Sequence, residues 1–232
     1  MIRAALFLSL LASGCMTPSE TRSADPESGT LRFLALGDSY TIGEAVSEAE
    51  RWPVQLAVRL RARGLNAADP VIVATTGWTT DELDAGIDQA AAEGRVAGTY
   101  DLVSLLIGVN NQYRGRDLEE YRAQFRALLG RAIGFAGHEA SNVMVLSIPD
   151  WGVTSFAGGR DRAQIGREID AFNAVAREEA AQAGAHFLDI TTASRAHPEE
   201  VAADGLHPSG AQYTRWADAA VPLACAILGG CG

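Results

Sequence analysis

The chain has 232 residues, 47% of them hydrophobic and 21% charged, a balance that suits one domain with a substantial core. A net charge of −10, with no basic cluster to offset it, excludes a nucleic-acid backbone as partner.

Residues 1–14 read as a signal segment. Arg3 supplies a positive start, and Ala4 to Ala12 form an apolar stretch too short to span a bilayer. Leu11-Ala12-Ser13-Gly14-Cys15 resembles a bacterial lipobox and departs from it at Ala12, where leucine is usual. Cleavage before Cys15 would leave its thiol to carry lipid. The expected location is therefore outside the cytoplasm, with membrane attachment only through a lipid anchor at Cys15. A plain secretory signal is the alternative. Residues 15–30 are polar, lack an apolar period and read as a flexible tether, which leaves 31–232 as the folded domain. Cys225 and Cys231 are a candidate disulfide in an oxidising compartment, with two unpaired thiols as the alternative.

From residue 31 short strands alternate with helical runs. Leu31 to Leu36 is the first strand, and Gly37-Asp38-Ser39 puts a serine on the turn at its carboxyl end. Trp52-Pro53 opens a helix that runs to Gly64, with Val54, Leu56, Ala57, Val58 and Leu60 on its apolar face. Val71 to Ala74 is the second strand, and Thr79-x-x-Glu82 is a capping box for the next helix. Leu102 to Ile107 is almost wholly apolar, as a strand covered on both faces must be. Asp117-x-x-Glu120 opens a long helix through Phe135, and Val143 to Ile148 is the fourth strand. A loop from Pro149 to about Arg160 is long and glycine-rich enough to line a site. A helix over Asp161 to Ala183 precedes the fifth strand, His186 to Ile190. Thr191 to Pro208 reads as mostly irregular; Ser209-x-x-Gln212 then caps a last helix that Pro222 is expected to kink or divide.

This alternation predicts an α/β fold, a five-stranded parallel sheet with helices on both faces; among the strand orders it allows we choose the flavodoxin-like three-layer α/β/α sandwich of order 2-1-3-4-5. In that order the first strand lies between the second and third, so the loops after those three strands meet over one crevice. The loops deliver Ser39, then Thr76-Gly77-Trp78, then Gly108-Val109-Asn110-Asn111. A serine nucleophile needs donors aimed at an oxyanion, and the N–H groups of Ser39 and Gly77 with the amide of Asn110 are three. Taken singly, Gly77 is better explained as a turn glycine and Asn110 as a turn or cap residue. Their convergence on three successive strand ends argues for chemistry.

A serine hydroxyl also needs a base, and the base a carboxylate to orient it. Of four histidines, His138 sits in a polar loop, His186 opens a strand, and His197 has Ser194 three residues before it. His207 has Asp204 at that spacing, on an irregular loop, with Pro208 restricting its backbone. An Asx turn ahead of a capped helix is the structural alternative for this pair.

Gly37-Asp38-Ser39-Tyr40, Gly77, Gly108-x-Asn110 and Asp204-x-x-His207 resemble the four blocks of the SGNH hydrolases, the GDSL-type esterases and lipases. They occur in the family's order and span about residues 33 to 210. The resemblance implies Ser39 as nucleophile, His207 as base, Asp204 as its orienter, and Ser39, Gly77 and Asn110 as oxyanion donors. It implies a serine esterase acting on carboxylic esters; short acyl esters and acetyl esters of carbohydrates are equally compatible with the sequence, and long lipids less so because there is no large lid insertion. Tyr40 replaces the usual leucine, and Asn111 stands where aspartate commonly follows, which bears on hydrogen bonding around Asn110. No Gly-x-Ser-x-Gly elbow surrounds Ser39, so the α/β-hydrolase alternative fails.

Tyr40, Trp78, Tyr113, Trp151 and Phe156 fall at the same sheet edge, as a substrate-binding wall or as anchors for the loops. Arg114, Arg116 and Arg160 either recognise a negative substrate group or are solvated surface charge. No metal and no cofactor is implied, since Asp81, Glu82 and Asp84 lack ligand partners. The expected partner is a small-molecule or glycan ester. An acyltransferase of the same fold and a noncatalytic glycan-binding lipoprotein are the alternative functions.

Overall fold

The computed structural model describes Met1 and residues 29–231; the signal segment, Cys15 and most of the tether lie outside the described residues. Strand β1 (Phe33–Gly37) is buried along its whole length, which an apolar run needs at the centre of a sheet. It pairs in parallel with β2 (Val71–Ala74) and β3 (Leu102–Leu106). Beyond β3 come β4 (Val143–Leu146) and β5 (His186–Leu188), giving the order β2-β1-β3-β4-β5.

The helices are α1 (Ser39–Ile42), α2 (Trp52–Arg61), α3 (Thr80–Ala92), α4 (Val109–Tyr113), α5 (Leu118–Phe135), α6 (Arg162–Ala183), α7 (Thr191–Ala196) and α8 (Gly210–Ile227). Right-handed crossovers assign the faces. The step from β1 to β2 runs one way along the sheet and the later steps the other, so α2 lies opposite α3, α5 and α6. The packing follows this division: α2 lies on α8, while α5 touches α3 and α6. Trp52 and Trp216, both fully buried, fill the α2–α8 side, and Tyr121 and Phe172 stack at 4.6 Å on the other.

Two expectations from the sequence change. The first strand begins at Phe33, since Leu31 makes only an isolated bridge to Ala67. Of the kink or division expected at Pro222, the division is absent: α8 runs through it. The missing N–H frees only the Asp218 carbonyl, and both residues face solvent, where water can take the bond. The segment after β5 is mostly irregular, as expected, with one short helix at its start, where Asp189 Oδ1 accepts from Thr191 N and Thr192 N ahead of α7. Cys225 and Cys231 are joined, with Cα atoms 5.2 Å apart, at the end of α8.

Candidate active site

Ser39 is the first residue of α1, and Asp38 is its N-cap, accepting from Tyr40 N at 3.0 Å. This one-turn helix springs straight from β1, so it carries the serine over the sheet's carboxyl edge. Among the described residues neither Ser39 N–H nor Gly77 N–H donates to another backbone or side-chain group. Gly77 has φ of 88°, and Trp78 N donates to Thr75 O at 3.2 Å, the geometry of a type II turn whose third residue must be glycine or a tolerant substitute. Asn110 stands in the first turn of α4, and its Nδ2 donates to Trp78 O at 2.9 Å, leaving the amide's second hydrogen available. Asn111 takes a structural part: its Oδ1 accepts from Thr80 N and its Nδ2 donates to Thr80 Oγ1. It ties α4 to the start of α3 and makes no hydrogen bond to Asn110.

His207 arrives from the far end of the chain. Its Nδ1 lies 2.6 Å from Asp204 Oδ2, while Asp204 Oδ1 accepts from Leu206 N and His207 N. The Asx turn and the oriented imidazole are therefore one structure, and the two readings of this spacing do not compete. The loop is held against the β4–α6 connection, where Ser155 Oγ and Phe156 N both donate to Gly205 O. A Cβ on Gly205 would fall 2.4 Å from Ser155 Oγ, so only glycine permits that approach. Burial, the largest single influence on Asp204, raises its pKa. Hydrogen bonds from His207 and from the Leu206 and His207 N–H groups outweigh it and hold the carboxyl below its ordinary range.

A cleft of about 200 Å³ opens over these groups, lined by Ser39, Gly77, Asn110 and His207, with Tyr40, Tyr113, Trp151 and Phe156 among the walls. Trp151 is buried and fixed by Nε1 donating to Gln112 Oε1 at 2.8 Å. Tyr113 and Phe156 are exposed at the rim. Tyr40 is mostly core, edge-on to both His207 and Trp216. Trp78 is a correction: its ring leaves the cleft and packs on α3, where a Cβ on Gly86 would fall 2.1 Å from the indole. Only its backbone carbonyl serves the site.

The arginines separate. Arg114 pairs with Glu82 and Arg116 with Asp81, which satisfies both within the protein. Arg160 stacks 5.1–5.5 Å from the ring centres of Tyr113, Trp151 and Phe156, and its Nη2 donates to Tyr113 OH. Away from the cleft, His197, Glu199 and Glu200 converge, but Arg215 takes both oxygens of Glu200. Sequence reading missed Thr76, Val109 and Leu206 as lining residues, and apolar or hydroxyl residues at loop positions carry no signal that would mark them.

The model of the GDSL-like Lipase/Acylhydrolase family matches residues 35–215, which carry every residue lining the cleft and the Asp204–His207 pair. The chain belongs to that family. As a GDSL-like acylhydrolase it is an enzyme of ester hydrolysis, and the noncatalytic alternative falls. Solved structures share the fold at low identity. TesA matches with a TM-score of 0.65 and 22% identity over 86% of this chain and 99% of its own. The esterase EstA from Pseudoalteromonas sp., inhibited by monoethylphosphonate, gives 0.64 and 15% over 87% and 100%. Axe2, an acetylxylan esterase from Geobacillus stearothermophilus, gives 0.63 and 20% over 84% and 94%. No significant relative is found among curated proteins.

Proposed function

We propose that this GDSL-like acylhydrolase cleaves short acyl or acetyl esters, including those on carbohydrates, through an acyl-enzyme on Ser39. The observation that carries the reading is the Asp204–His207 pair, closed at 2.6 Å, with His207 on the wall of the same cleft as Ser39, Gly77 and Asn110. Asp204 fixes the Nδ1–H tautomer, so Nε2 is the basic nitrogen and takes the Ser39 proton as Oγ attacks the ester carbonyl. Ser39 N–H, Gly77 N–H and Asn110 Nδ2 hold the oxyanion, and the alcohol leaves with the proton from His207. Water, deprotonated by His207, then adds to the acyl-enzyme; the acid departs and Ser39 regains its proton.

Small acyl groups are favoured because Trp151 closes the cleft with a ring locked by Gln112. The rim rings of Tyr113 and Phe156 suit the flat, weakly polar face of a sugar. The signal segment that precedes Cys15 supports an exported, lipid-anchored enzyme whose substrate is met outside the cytoplasm.

The test is covalent labelling with a fluorophosphonate, followed by peptide mapping, alongside hydrolysis of p-nitrophenyl esters. Label is expected on Ser39, and Ser39→Ala and His207→Ala are each expected to lose at least about 10⁴-fold in kcat. A clean Ser39→Ala preparation that hydrolyses at the wild-type rate would falsify the assignment.

A further inference from the structure

A guanidinium presents five N–H donors and no acceptor, so one held in place without a partner calls for oxygen atoms from outside. Arg114 and Arg116 are paired with Glu82 and Asp81, and Arg162 donates to the carbonyls of Val153 and Thr154. Arg160 gives one guanidinium N–H to Tyr113 OH at 3.0 Å; the other four meet no protein acceptor among the described residues. Aromatic rings hold it instead. Its Cζ lies 5.1–5.5 Å from the ring centres of Tyr113, Trp151 and Phe156, which pack on one another at 5.4–6.4 Å. The rings restrain the cation without neutralising it, so a ligand meets a side chain that is already ordered.

Tyr113 and Trp151 belong to two depressions: the cleft over Ser39, and an adjoining groove of about 280 Å³ that Arg160, Asp161, Gln164 and Glu168 also line. Glu168 is fully engaged, its two oxygens accepting from Gln112 Nε2 and Gln164 Nε2. Asp161 caps α6 with Oδ1, accepting from Gln164 N, and its Oδ2 has no partner among the described residues. Four donors and an acceptor therefore sit on adjacent residues beside the exposed ring of Tyr113. A sugar matches that set, with hydroxyls that donate and accept and a weakly apolar ring face. An acidic sugar fits less well, because its carboxylate would share the groove with Asp161 and Glu168. An acyl chain would strip water from these charges.

We propose that the groove is a second sugar subsite, where Arg160 and Asp161 hold the hydroxyls of a neutral residue adjoining the one whose ester sits at Ser39. This rests on the carbohydrate-ester reading above. The experiment measures acetate release from acetylated xylo-, manno- and chito-oligosaccharides, each as monosaccharide and trisaccharide, by wild type, Arg160→Ala and Arg160→Lys. Acetylated trigalacturonate, free and methyl-esterified, supplies the acidic arm, and p-nitrophenyl acetate reports the chemistry at Ser39. In at least one neutral series the trisaccharide is expected to exceed the monosaccharide about 10–100-fold in kcat/KM, as a hydrogen bond to a charged group allows. Arg160→Ala should bring that ratio to within about threefold of unity, with Arg160→Lys between. Loosening of the aromatic cluster slows both substrates alike, so the ratio isolates the subsite. The ¹⁵Nε resonance of Arg160 should move when the unacetylated trisaccharide of that series is added, a readout that needs no turnover.

A ratio near one in every neutral series overturns the proposal. So does a ratio that Arg160→Ala leaves intact, which would make Arg160 a clip for its loop. A gain confined to free trigalacturonate and lost on methyl esterification overturns it too, and makes the groove a carboxylate site. If wild type hydrolyses p-nitrophenyl acetate but no sugar ester, the subsite falls and the acyl-enzyme reading stands. If it hydrolyses nothing and Ser39 takes no fluorophosphonate, the acyl-enzyme reading fails, and the Arg160 resonance still decides the subsite.

Discussion

His207 Nδ1 and Asp204 Oδ2 stand 2.6 Å apart and only three positions apart in the chain, so the orientation of the imidazole is settled locally. The two carboxylate oxygens of Asp204 divide the work. Oδ2 meets the ring, and Oδ1 takes the N–H groups of Leu206 and His207.

That division makes two substitutions informative. Asp204→Asn keeps an acceptor for the turn but removes the carboxylate that selects the tautomer, so kcat is expected to fall about 10²–10⁴-fold with little change in stability. Asp204→Ala also strips the turn and should cost a further 1 kcal/mol or so of stability. Denaturant unfolding beside steady-state kinetics separates the effects; an asparagine variant with wild-type kcat would show that Asp204 serves only the turn.

Trp151 should set the acyl-chain limit. Its ring is buried, bonded to Gln112, and edge-on to Tyr113 at 5.4 Å. Trp151→Ala opens the cleft at a cost of about 3–5 kcal/mol in stability, and Trp151→Phe is the milder change. In kcat/KM from acetyl to decanoyl p-nitrophenyl esters, both variants are expected to shift the optimum toward longer chains, the alanine by at least about tenfold in the decanoyl-to-acetyl ratio, since each added buried CH₂ contributes about 0.8 kcal/mol. An unchanged profile in both would place the limit elsewhere.

Asp38 should make stability fall as pH rises. Its Oδ1 accepts from Tyr40 N, but Oδ2 is buried without a partner among the described residues. Burial raises its pKa from 3.8 to about 7, against the opposing pull of the backbone hydrogen bonds. Between those two values the folded state holds a proton that the unfolded chain has lost. Stability therefore declines as pH climbs from about 4 to about 7, by on the order of 4 kcal/mol once the group is fully ionised. Asp38→Asn abolishes that component. Every other titratable group is common to both proteins, so urea unfolding from pH 4.5 to 8 isolates it; parallel curves would show that Asp38 does not titrate in this window.

The chain reads well where function is local. The apolar run into Gly37-Asp38-Ser39, the capping box at Thr79-x-x-Glu82 and the Asp204-x-x-His207 turn each carry their geometry in a few consecutive residues, because turns and caps are closed by neighbours. The alternation of strand and helix likewise gives the parallel sheet with helices on both faces, while crossover handedness alone leaves the strand order open.

What only the tertiary structure decides is where side chains go once several routes are open. Trp78 and Trp151 look alike as aromatics at a sheet edge, yet the space over Gly86 takes one ring to α3 while Gln112 holds the other in the cleft. Glu82 shows its capping role in sequence, but its second oxygen meets Arg114, 32 residues on, only because β3 lies two strands from β2 and α4 folds back over the crevice. Local hydrogen bonds are written in adjacent residues; packing and long-range ion pairs depend on distances that exist only after the sheet has formed.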